Sequence, residues 1–306
     1  MIAAFLPASR PAELDKWCQG WQGDHVLTDK FEKLRELVRS FGSCLVAYSG
    51  GVDSVFLARV CRDELRERSV AVIADSPSLP RRELAEALEL AERYTIPVRV
   101  IRTQEFENQE YLANPVNRCY FCKFELFSEL IPIARREGLA AILYGENASD
   151  LGDIRPGAKA AAEFQVRAPL KEVGLTKQEI RDLSAELGLP TADKPQMACL
   201  SSRIPYGEVV TPAKLRMIEE AENYLRDLGF RDVRVRHHEV SQGALARIEL
   251  GPAEMPRLLA NGASGRVANA LRGAGYAHVV VDLLGYRRGS TNELALPVKS
   301  LGDSGS

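Results

Sequence analysis

The sequence predicts a doubly wound α/β domain with a parallel sheet, followed by a small α+β domain. In its first half, short apolar runs alternate with amphipathic stretches of helical period. The apolar runs are continuous rather than alternating with polar residues, which indicates parallel strands covered on both faces by helices. The C-terminal third has helices and strands in a different order, which indicates a second module.

The helices and strands of the first domain follow from their periodicity. Residues 28–42 carry apolar side chains at helical spacing, and Thr28 or Asp29 is a suitable N-cap. We predict strands at 44–49, 69–76, 97–103 and 140–147. We predict the connecting helices at 53–65, 80–94 and 122–138, the last interrupted by Pro132.

A proline-rich loop separates the two modules. A helix begins at the cap Thr176 and ends at Gly188, and residues 190–212 then show no period. We therefore predict a functional loop here, a first domain of residues 1–204 and a second of residues 205–306. The second domain has predicted helices at 212–229 and 264–275 and predicted strands at 231–238, 244–250 and 278–284.

Composition excludes several classes of protein. Of the 306 residues, 45% are hydrophobic, which suffices for a substantial core. The 40 Lys and Arg residues against 42 Asp and Glu give a net charge of −2, which argues against a broad nucleic-acid-binding face. Because the sequence has neither a membrane-length apolar run nor a secretory signal, we expect a cytoplasmic protein without membrane or nucleic-acid partners. Its cysteines should then stay reduced.

A glycine-rich loop, SGGVDS, joins the first strand to its helix. Such a turn leaves backbone N–H groups pointing one way at a helix N-terminus, which makes an anion site. Gly50 and Gly51 let a phosphate approach closely, and Ser49 and Ser54 add hydroxyl donors. Asp53 needs Mg²⁺ or the positive helix end to offset its repulsion of a phosphate. An ordinary tight turn is the alternative, but the loop ends the first strand of the sheet, where ligands collect.

The loop and six further segments resemble a known family. SGGVDS resembles the PP-loop of the N-type ATP pyrophosphatases, which cleave ATP between its α and β phosphates and activate a carbonyl oxygen as an adenylate. The whole set resembles the LarE family of sulfur transferases, which make the organic part of the nickel-pincer nucleotide cofactor. The segments, between residues 44 and 293, are AYSGGVDS, ADSPSLPRREL, NPVNRCYFCK, YGENASDLGDIRPG, ACLSSRIPYGE, VRVRHH and DLLGYRRGSTNE.

The resemblance implies a reaction and its ligands. The substrate would be a pyridinium dicarboxylate mononucleotide, whose carboxylates are adenylated with ATP and Mg²⁺ and then converted to thiocarboxylates. Ser76, in the second segment, would join the PP-loop residues at the nucleotide. The resemblance also implies a homo-oligomer, whereas the source of the sulfide cannot be read from the sequence.

Three of the six cysteines form a pattern. Cys119 and Cys122 form a C-x-x-C at the start of a predicted helix, and Cys199 lies in the proline-rich loop. By the resemblance, either Cys199 gives up its sulfur and becomes dehydroalanine, or the three cysteines hold a [4Fe–4S] cluster whose fourth iron binds a transferable sulfide. We favour the cluster because thiolate ligation is the usual purpose of such a set. Zinc or a redox dithiol is a further alternative.

A shared cluster has a structural requirement. The proline-rich loop must fold back over the helix start that bears the C-x-x-C, so that Cys199 meets the other two thiols. The remaining cysteines lie in a lead segment, a strand and a helix, and we expect them only to pack: Cys18, Cys44 and Cys61.

Two arginines on one predicted strand are candidate substrate ligands. Arg234 and Arg236 are two positions apart, so their side chains share one face of the strand. Paired guanidinium groups suit a phosphate or carboxylate, and the resemblance implies that they bind the substrate phosphate. A solvated strand face is the alternative. Arg203, close after Cys199, is a weaker candidate for the substrate or for pyrophosphate.

Other polar residues carry less weight. Asp150 and Asp153 are candidate Mg²⁺ ligands, although a capped loop explains them equally well. His237 and His238 have no carboxylate or cysteine at metal spacing, so we interpret them as strand residues.

Three rival functions are a tRNA thiolase, which should carry a strongly basic face, an amidotransferase-type synthetase, for which no glutaminase domain fits, and an ATP-binding sensor that releases no pyrophosphate.

Overall fold

The protein is built around two β-sheets in the computed structural model, which describes residues 25–150, 156–195, 198–260 and 262–287. The first sheet has four strands in the order β3-β2-β1-β4, all parallel. Its strands are β1 (Cys44–Ala47), β2 (Ser69–Asp75), β3 (Val98–Arg102) and β4 (Ala141–Tyr144). Because β1 lies between β2 and β4, the SGGVDS loop leaves the middle of the sheet. The predicted doubly wound α/β class is confirmed.

Helices cover both faces of this sheet. They are α1 (His25–Phe41), α2 (Val52–Leu65), α3 (Arg81–Arg93), α4 (Gln109–Leu112), α5 (Arg118–Arg136), α6 (Pro156–Glu163), α7 (Pro169–Glu172) and α8 (Lys177–Glu186). Neighbouring residues of β1 serve different cores, since side chains alternate along a strand. Val46 packs with Phe56 of α2 in one core, whereas Leu45 packs with Phe127 and Leu130 of α5 in the other.

Three predicted boundaries are wrong. Helix α1 begins at His25, so Thr28 and Asp29 lie inside it rather than at its cap. Helix α5 continues through Pro132, because the buried Leu130 and Ile133 on either side keep the helix packed against the sheet. Helix α6 forms between the predicted strand at 140–147 and the predicted helix that begins at Thr176, where we predicted no helix or strand. By contrast, Thr176 caps α8 with a reciprocal capping box, as predicted.

The second sheet has the order β5-β6-β7, antiparallel between β5 and β6 and parallel between β6 and β7. Its strands are β5 (Val233–Val240), β6 (Gly243–Leu250) and β7 (His278–Val281), and its helices are α9 (Pro212–Asp227), α10 (Met255–Leu259) and α11 (Ala263–Gly273). Val233 and Val235 pack with Leu225 and Leu271 in a separate core. No helix of the described ranges is long and apolar enough to cross a membrane.

The proline-rich loop lies across the start of α5. The Asn114 side chain donates to the Pro205 carbonyl at 2.7 Å, and Arg118 of α5 donates to the Ser201 carbonyl at 3.1 Å. On another side, the Leu200 N–H donates to the Ser78 carbonyl at 2.8 Å. The loop therefore folds back over the C-x-x-C, which a site shared with Cys199 requires.

Candidate functional site

One cavity receives residues from both domains. It has a volume of about 1860 Å³, more than a single small ligand needs. Gly50 of the SGGVDS loop and Cys119 of α5 line it from the first domain, and Arg234 and Arg236 of β5 line it from the second. More basic than acidic side chains face it. The cavity therefore suits anionic ligands and brings together three of the motifs found in the sequence.

The SGGVDS loop has the geometry of an anion site. Gly50 has a φ of +71°, and a Cβ there would lie 2.5 Å from the Cβ of Ala87 in α3, so only glycine fits. The Ser54 hydroxyl accepts from the Ser49 N–H at 3.1 Å and donates to the Gly51 carbonyl at 3.1 Å. Because Gly51 caps α2 without a side chain, the first N–H groups of this helix are left for a ligand.

Asp53 forms an ion pair that the sequence analysis missed. Lys177, the first residue of α8, places its ammonium 2.7 Å from Asp53 Oδ2 and also lines the cavity. The other carboxylate oxygen, Oδ1, is buried and has no hydrogen-bond partner among the described residues. The oxygen chemistry and the unsatisfied Oδ1 fit a divalent cation. Nothing in the local pattern around Lys177 marks it, because its partner lies 124 positions away.

Gly145, directly after β4, is a second residue of the site that we did not predict from the sequence. A Cβ on Gly145 would lie 2.9 Å from the Ser54 backbone nitrogen, so the chain approaches the start of α2 more closely than any other residue allows. Further along the chain, Asp150 also lines the cavity and accepts from the Asn147 N–H at 3.3 Å. Asp153 lies outside the described residues.

Ser76 lies directly after β2, in the turn that contacts the proline-rich loop. It is buried, and its hydroxyl accepts from the Ser78 N–H at 3.1 Å. Ser78 in turn contacts the hydroxyls of Tyr111 at 2.6 Å and Ser201 at 2.7 Å. These buried hydroxyls join the turn after β2 to the proline-rich loop. A contact between Ser76 and nucleotide stays a prediction, since Ser76 is not among the residues that line the cavity.

The three cysteines of the pattern lie in one neighbourhood. Cys119 is exposed at the cavity, whereas Cys122 and Cys199 are partly exposed. Burial of its thiol raises the pKa of Cys122, and the nearby negative charges that Cys199, Glu105 and Cys119 can carry raise it further. Three thiols suit a thiolate-ligated metal group in type. As they stand, however, no three His, Cys, Asp or Glu side chains in the described part of the chain are arranged to hold a metal ion.

Arg203 occupies a different position from the one expected. It is fully buried and pairs with the equally buried Glu222 of α9 at 2.9 Å. It also donates to the carbonyls of Ala198 at 2.6 Å and Cys199 at 3.0 Å. Burial, the largest single effect, raises the pKa of Glu222, but the charge and hydrogen bond of Arg203 and the charges of Arg226 and Arg234 together lower it by more, so the net shift is downward. Arg203 thus fixes the backbone at Cys199 and joins it to the second domain. It is not among the residues that line the cavity, and its contact with an anionic substrate stays a prediction.

Arg234 and Arg236 are buried at the cavity wall, so the alternative of a solvated strand face was wrong. Arg236 pairs with Glu249 at 2.8 Å and donates to the Ser202 carbonyl at 2.9 Å. Arg234 lies 5.0 Å from the ring centre of Tyr286. Burial, and then the charge of Arg203, lower the pKa of Arg234. A bound anion would offset both effects.

The two histidines lie away from this wall. His237 is only 2% exposed and faces the core of the second sheet. Burial, and then the charge of Lys214, lower the pKa of His237 to about 4. It is therefore neutral at pH 7. His238 accepts from Arg247 Nε at 3.2 Å.

Comparison with known proteins identifies the family. The family model described as NAD synthase matches residues 26–112. The chain is 43% identical over 269 residues to the uncharacterized protein slr1717 of Synechocystis sp., covering 88% of this chain and 99% of that protein. It is 36% identical over 269 residues to the pyridinium-3,5-bisthiocarboxylic acid mononucleotide synthase of Lactiplantibacillus plantarum, covering 88% of this chain and 95% of that enzyme.

A further similarity covers only half of the chain. The tRNA-specific 2-thiouridylase of Thermus thermophilus is 29% identical over 194 residues, which are 50% of this chain and 52% of that enzyme. The similarity to the Lactiplantibacillus synthase spans both domains instead. The chain therefore belongs to the LarE family of ATP-dependent sulfur transferases, which share the PP-loop domain.

Proposed function

We propose that this enzyme adenylates the carboxylates of a pyridinium dicarboxylate mononucleotide and converts them to thiocarboxylates. The single observation that carries the proposal is the cavity shared by Gly50, Cys119, Arg234 and Arg236. An ATP loop, a thiol and two buried cations facing one space are what a reaction between ATP, a sulfur donor and an anionic substrate requires. The name of the Lactiplantibacillus relative supports the substrate class.

The first step is adenylation. A substrate carboxylate oxygen attacks the α-phosphorus of ATP, and pyrophosphate leaves from the bond that breaks. The N–H groups at the start of α2 bind the phosphates, where they offset the negative charge that develops during attack. Asp53 and its buried Oδ1 would hold Mg²⁺, which supplies charge neutralisation at the phosphates when bound.

The second step transfers sulfur. A sulfide attacks the carbonyl carbon of the acyl adenylate, the bond to the phosphate oxygen breaks, and AMP leaves with a thiocarboxylate as the other product. Arg234 and Arg236 hold the substrate phosphate, which keeps the reacting carboxyl group on the side of the cavity where Cys119 lies. Their burial strengthens this contact because little water screens it.

For the sulfur source we propose the three-cysteine [4Fe–4S] cluster. Cys119, Cys122 and Cys199 would hold it, and when bound it supplies a sulfide at the iron that lacks a protein thiolate. The loop folded over α5 supports this assignment. The competing proposal is that Cys199 gives up its own sulfur. Arg203 supports either proposal, because it fixes the Cys199 backbone at 3.0 Å from its guanidinium.

An iron and sulfide assay on anaerobically purified protein tests the choice. We expect iron, acid-labile sulfide and a brown absorbance in the wild-type protein, and their loss in each of Cys119→Ala, Cys122→Ala and Cys199→Ala. Sulfur transfer should fail with the iron, whereas pyrophosphate release should survive because Asp53 and the SGGVDS loop are untouched. Cys61→Ala, at a buried packing position on α2, is the matched control and should keep its iron.

The sacrificial mechanism gives a different pattern. Cys199→Ala alone would abolish transfer, and the C-x-x-C variants would complete one turnover. Intact-protein mass spectrometry would show the spent wild-type protein lighter by about 34 Da, the mass of H₂S lost when cysteine becomes dehydroalanine. That loss in an iron-free, active enzyme would overturn the cluster.

Two further predictions from the sequence are tested separately. A tRNA thiolase is disfavoured by the net charge of −2, and the pyrophosphate assay with the mononucleotide against tRNA separates it from our proposal. We also propose that the chain forms a homo-oligomer. Light scattering on the purified protein tests this, and a monomeric mass would contradict it.

A further inference from the structure

The ion pair between Lys177 and Asp53 lies at an unusual place for a structural contact. Asp53 lies in the first turn of α2, the helix that follows the glycine-rich loop, and Lys177 lines the cavity beside it. The two side chains are 31% and 18% exposed, and pairs at this exposure contribute only about 0–1 kcal/mol to stability. A stabilising role therefore does not account for a lysine at this position.

A second ion pair, also formed at the start of α8, provides a comparison. Lys30 of α1 pairs with Glu179 at the same distance of 2.7 Å, and the two side chains are 25% and 23% exposed. Both oxygens of Glu179 are used, since Oε2 accepts from the Thr176 N–H and hydroxyl. Asp53 instead keeps one buried oxygen with no partner among the described residues, an arrangement that costs free energy unless a ligand satisfies it.

We propose that Lys177 is a displaceable counter-ion that passes from Asp53 to the triphosphate of ATP. Without nucleotide, its ammonium neutralises Asp53 and keeps the loop from repelling an incoming phosphate. With nucleotide, Asp53 binds the divalent cation and the ammonium binds phosphate oxygens. The inference rests on the proposed use of ATP and adds a nucleotide-binding residue to the site.

The Lys177 ammonium can reach a second partner while the backbone of the residue stays in place. The backbone of Lys177 is fixed, because its N–H donates to the Ser149 hydroxyl at 3.0 Å and Thr176 caps the helix at this point. The four-carbon stem then lets a compact cation swing between two partners. Lysine thus combines a fixed base with a mobile charge.

If Lys177 and a divalent cation compete for Asp53, removal of Lys177 should change the affinities for the cation and for ATP in opposite directions. A divalent cation that binds without nucleotide must displace Lys177, so removal of Lys177 should tighten cation binding. Removal should weaken ATP binding, because a phosphate contact is lost. A purely structural role predicts the same sign for both, since a distorted site binds every ligand less well.

Electron paramagnetic resonance of free Mn²⁺ measures the first effect in the nucleotide-free protein. We expect Lys177→Met to tighten Mn²⁺ binding about tenfold, the size of one charge-assisted contact. Lys30→Met, which removes the matched pair outside the cavity, should leave it unchanged. Asp53→Asn should remove this Mn²⁺ site in the wild-type and Lys177→Met backgrounds alike, which assigns the site to Asp53 rather than to the cysteines.

Titrations of ATP and adenosine measure the second effect. We expect Lys177→Met to weaken ATP binding about tenfold and to leave adenosine binding unchanged, with Lys177→Arg between the two proteins. Unchanged or weaker Mn²⁺ binding in Lys177→Met, or equal losses for ATP and adenosine, would overturn the inference. Neither measurement involves sulfur or the mononucleotide, so its failure is distinct from a failure of the proposed sulfur transfer.

Discussion

At the scale of single residues, Asp53 connects the loop to the chemistry. Its carboxylate lies at the glycine-rich loop, where the positive end of α2 and the Lys177 ammonium offset its charge, while Oδ1 has no hydrogen-bond partner among the described residues. A carboxylate in a phosphate site is tolerated only under these conditions. In the proposed function this residue serves nucleotide and cation binding, and it does not belong to the hydrophobic core.

We expect Asp53→Ala to abolish Mg²⁺-dependent pyrophosphate release and to leave the fold intact, because the change deletes a charge and no core volume. Pyrophosphate release with the mononucleotide measures activity, and circular dichroism checks folding. Asp63→Ala, on the same helix and paired with Arg59, is the control and should retain activity. Pyrophosphate release at the wild-type rate in Asp53→Ala would contradict the assignment of the loop.

At the scale of elements, the proline-rich loop is held on three sides. It contacts the turn after β2 through Ser78, the start of α5 through Arg118 and helix α9 through the pair of Arg203 and Glu222. The loop has little regular structure of its own, and these contacts replace the hydrogen bonds that a helix or strand would provide. They determine where Cys199 lies.

The buried pair makes the stability of this arrangement depend on pH. The pKa of Glu222 lies below its ordinary value of 4.5, so its contribution is fully present above that value and is lost as the pH falls through the lowered pKa. We expect Glu222→Gln to lower the free energy of unfolding by about 3 kcal/mol at pH 7, since Arg203 is left buried without a counter-ion. Urea denaturation at several pH values measures this, and the difference from wild type should shrink below pH 4.5.

The exposed pair of Arg99 and Glu137 supplies the control for this prediction. The two side chains are 41% and 28% exposed, so Glu137→Gln should lower the free energy of unfolding by less than about 1 kcal/mol. Equal losses from the two Glu→Gln variants, or a Glu222→Gln loss that persists in acid, would show that the buried pair does not stabilise the loop.

At the scale of the whole molecule, residues from both sheets reach one cavity. The SGGVDS loop belongs to the first sheet, whereas Arg234 and Arg236 belong to the second, and both reach the same cavity. We expect Arg234→Ala and Arg236→Ala each to weaken substrate binding about tenfold or more, the size of one or two charge-assisted contacts, and to change ATP binding little. Titration calorimetry with each ligand measures the difference.

Arg247 provides the matched control in the second sheet. It is the register partner of Arg236 and also contacts Glu249, but it does not line the cavity. Arg247→Ala should therefore leave substrate binding near the wild-type value. Equal losses of ATP and substrate in the Arg234 and Arg236 variants would place these arginines at the nucleotide instead.

The sequence by itself determined the succession of strands and of the long helices, the glycine-rich loop, the cap at Thr176 and the shared face of Arg234 and Arg236. These features depend on periodicity and on the conformational needs of neighbouring residues, which a local pattern encodes. Tertiary structure alone decided the partners of the site: Lys177 for Asp53, Glu222 for Arg203, and the burial of both β5 arginines. Such contacts form only where the topology brings distant segments together, and no local period specifies which charge lies opposite another.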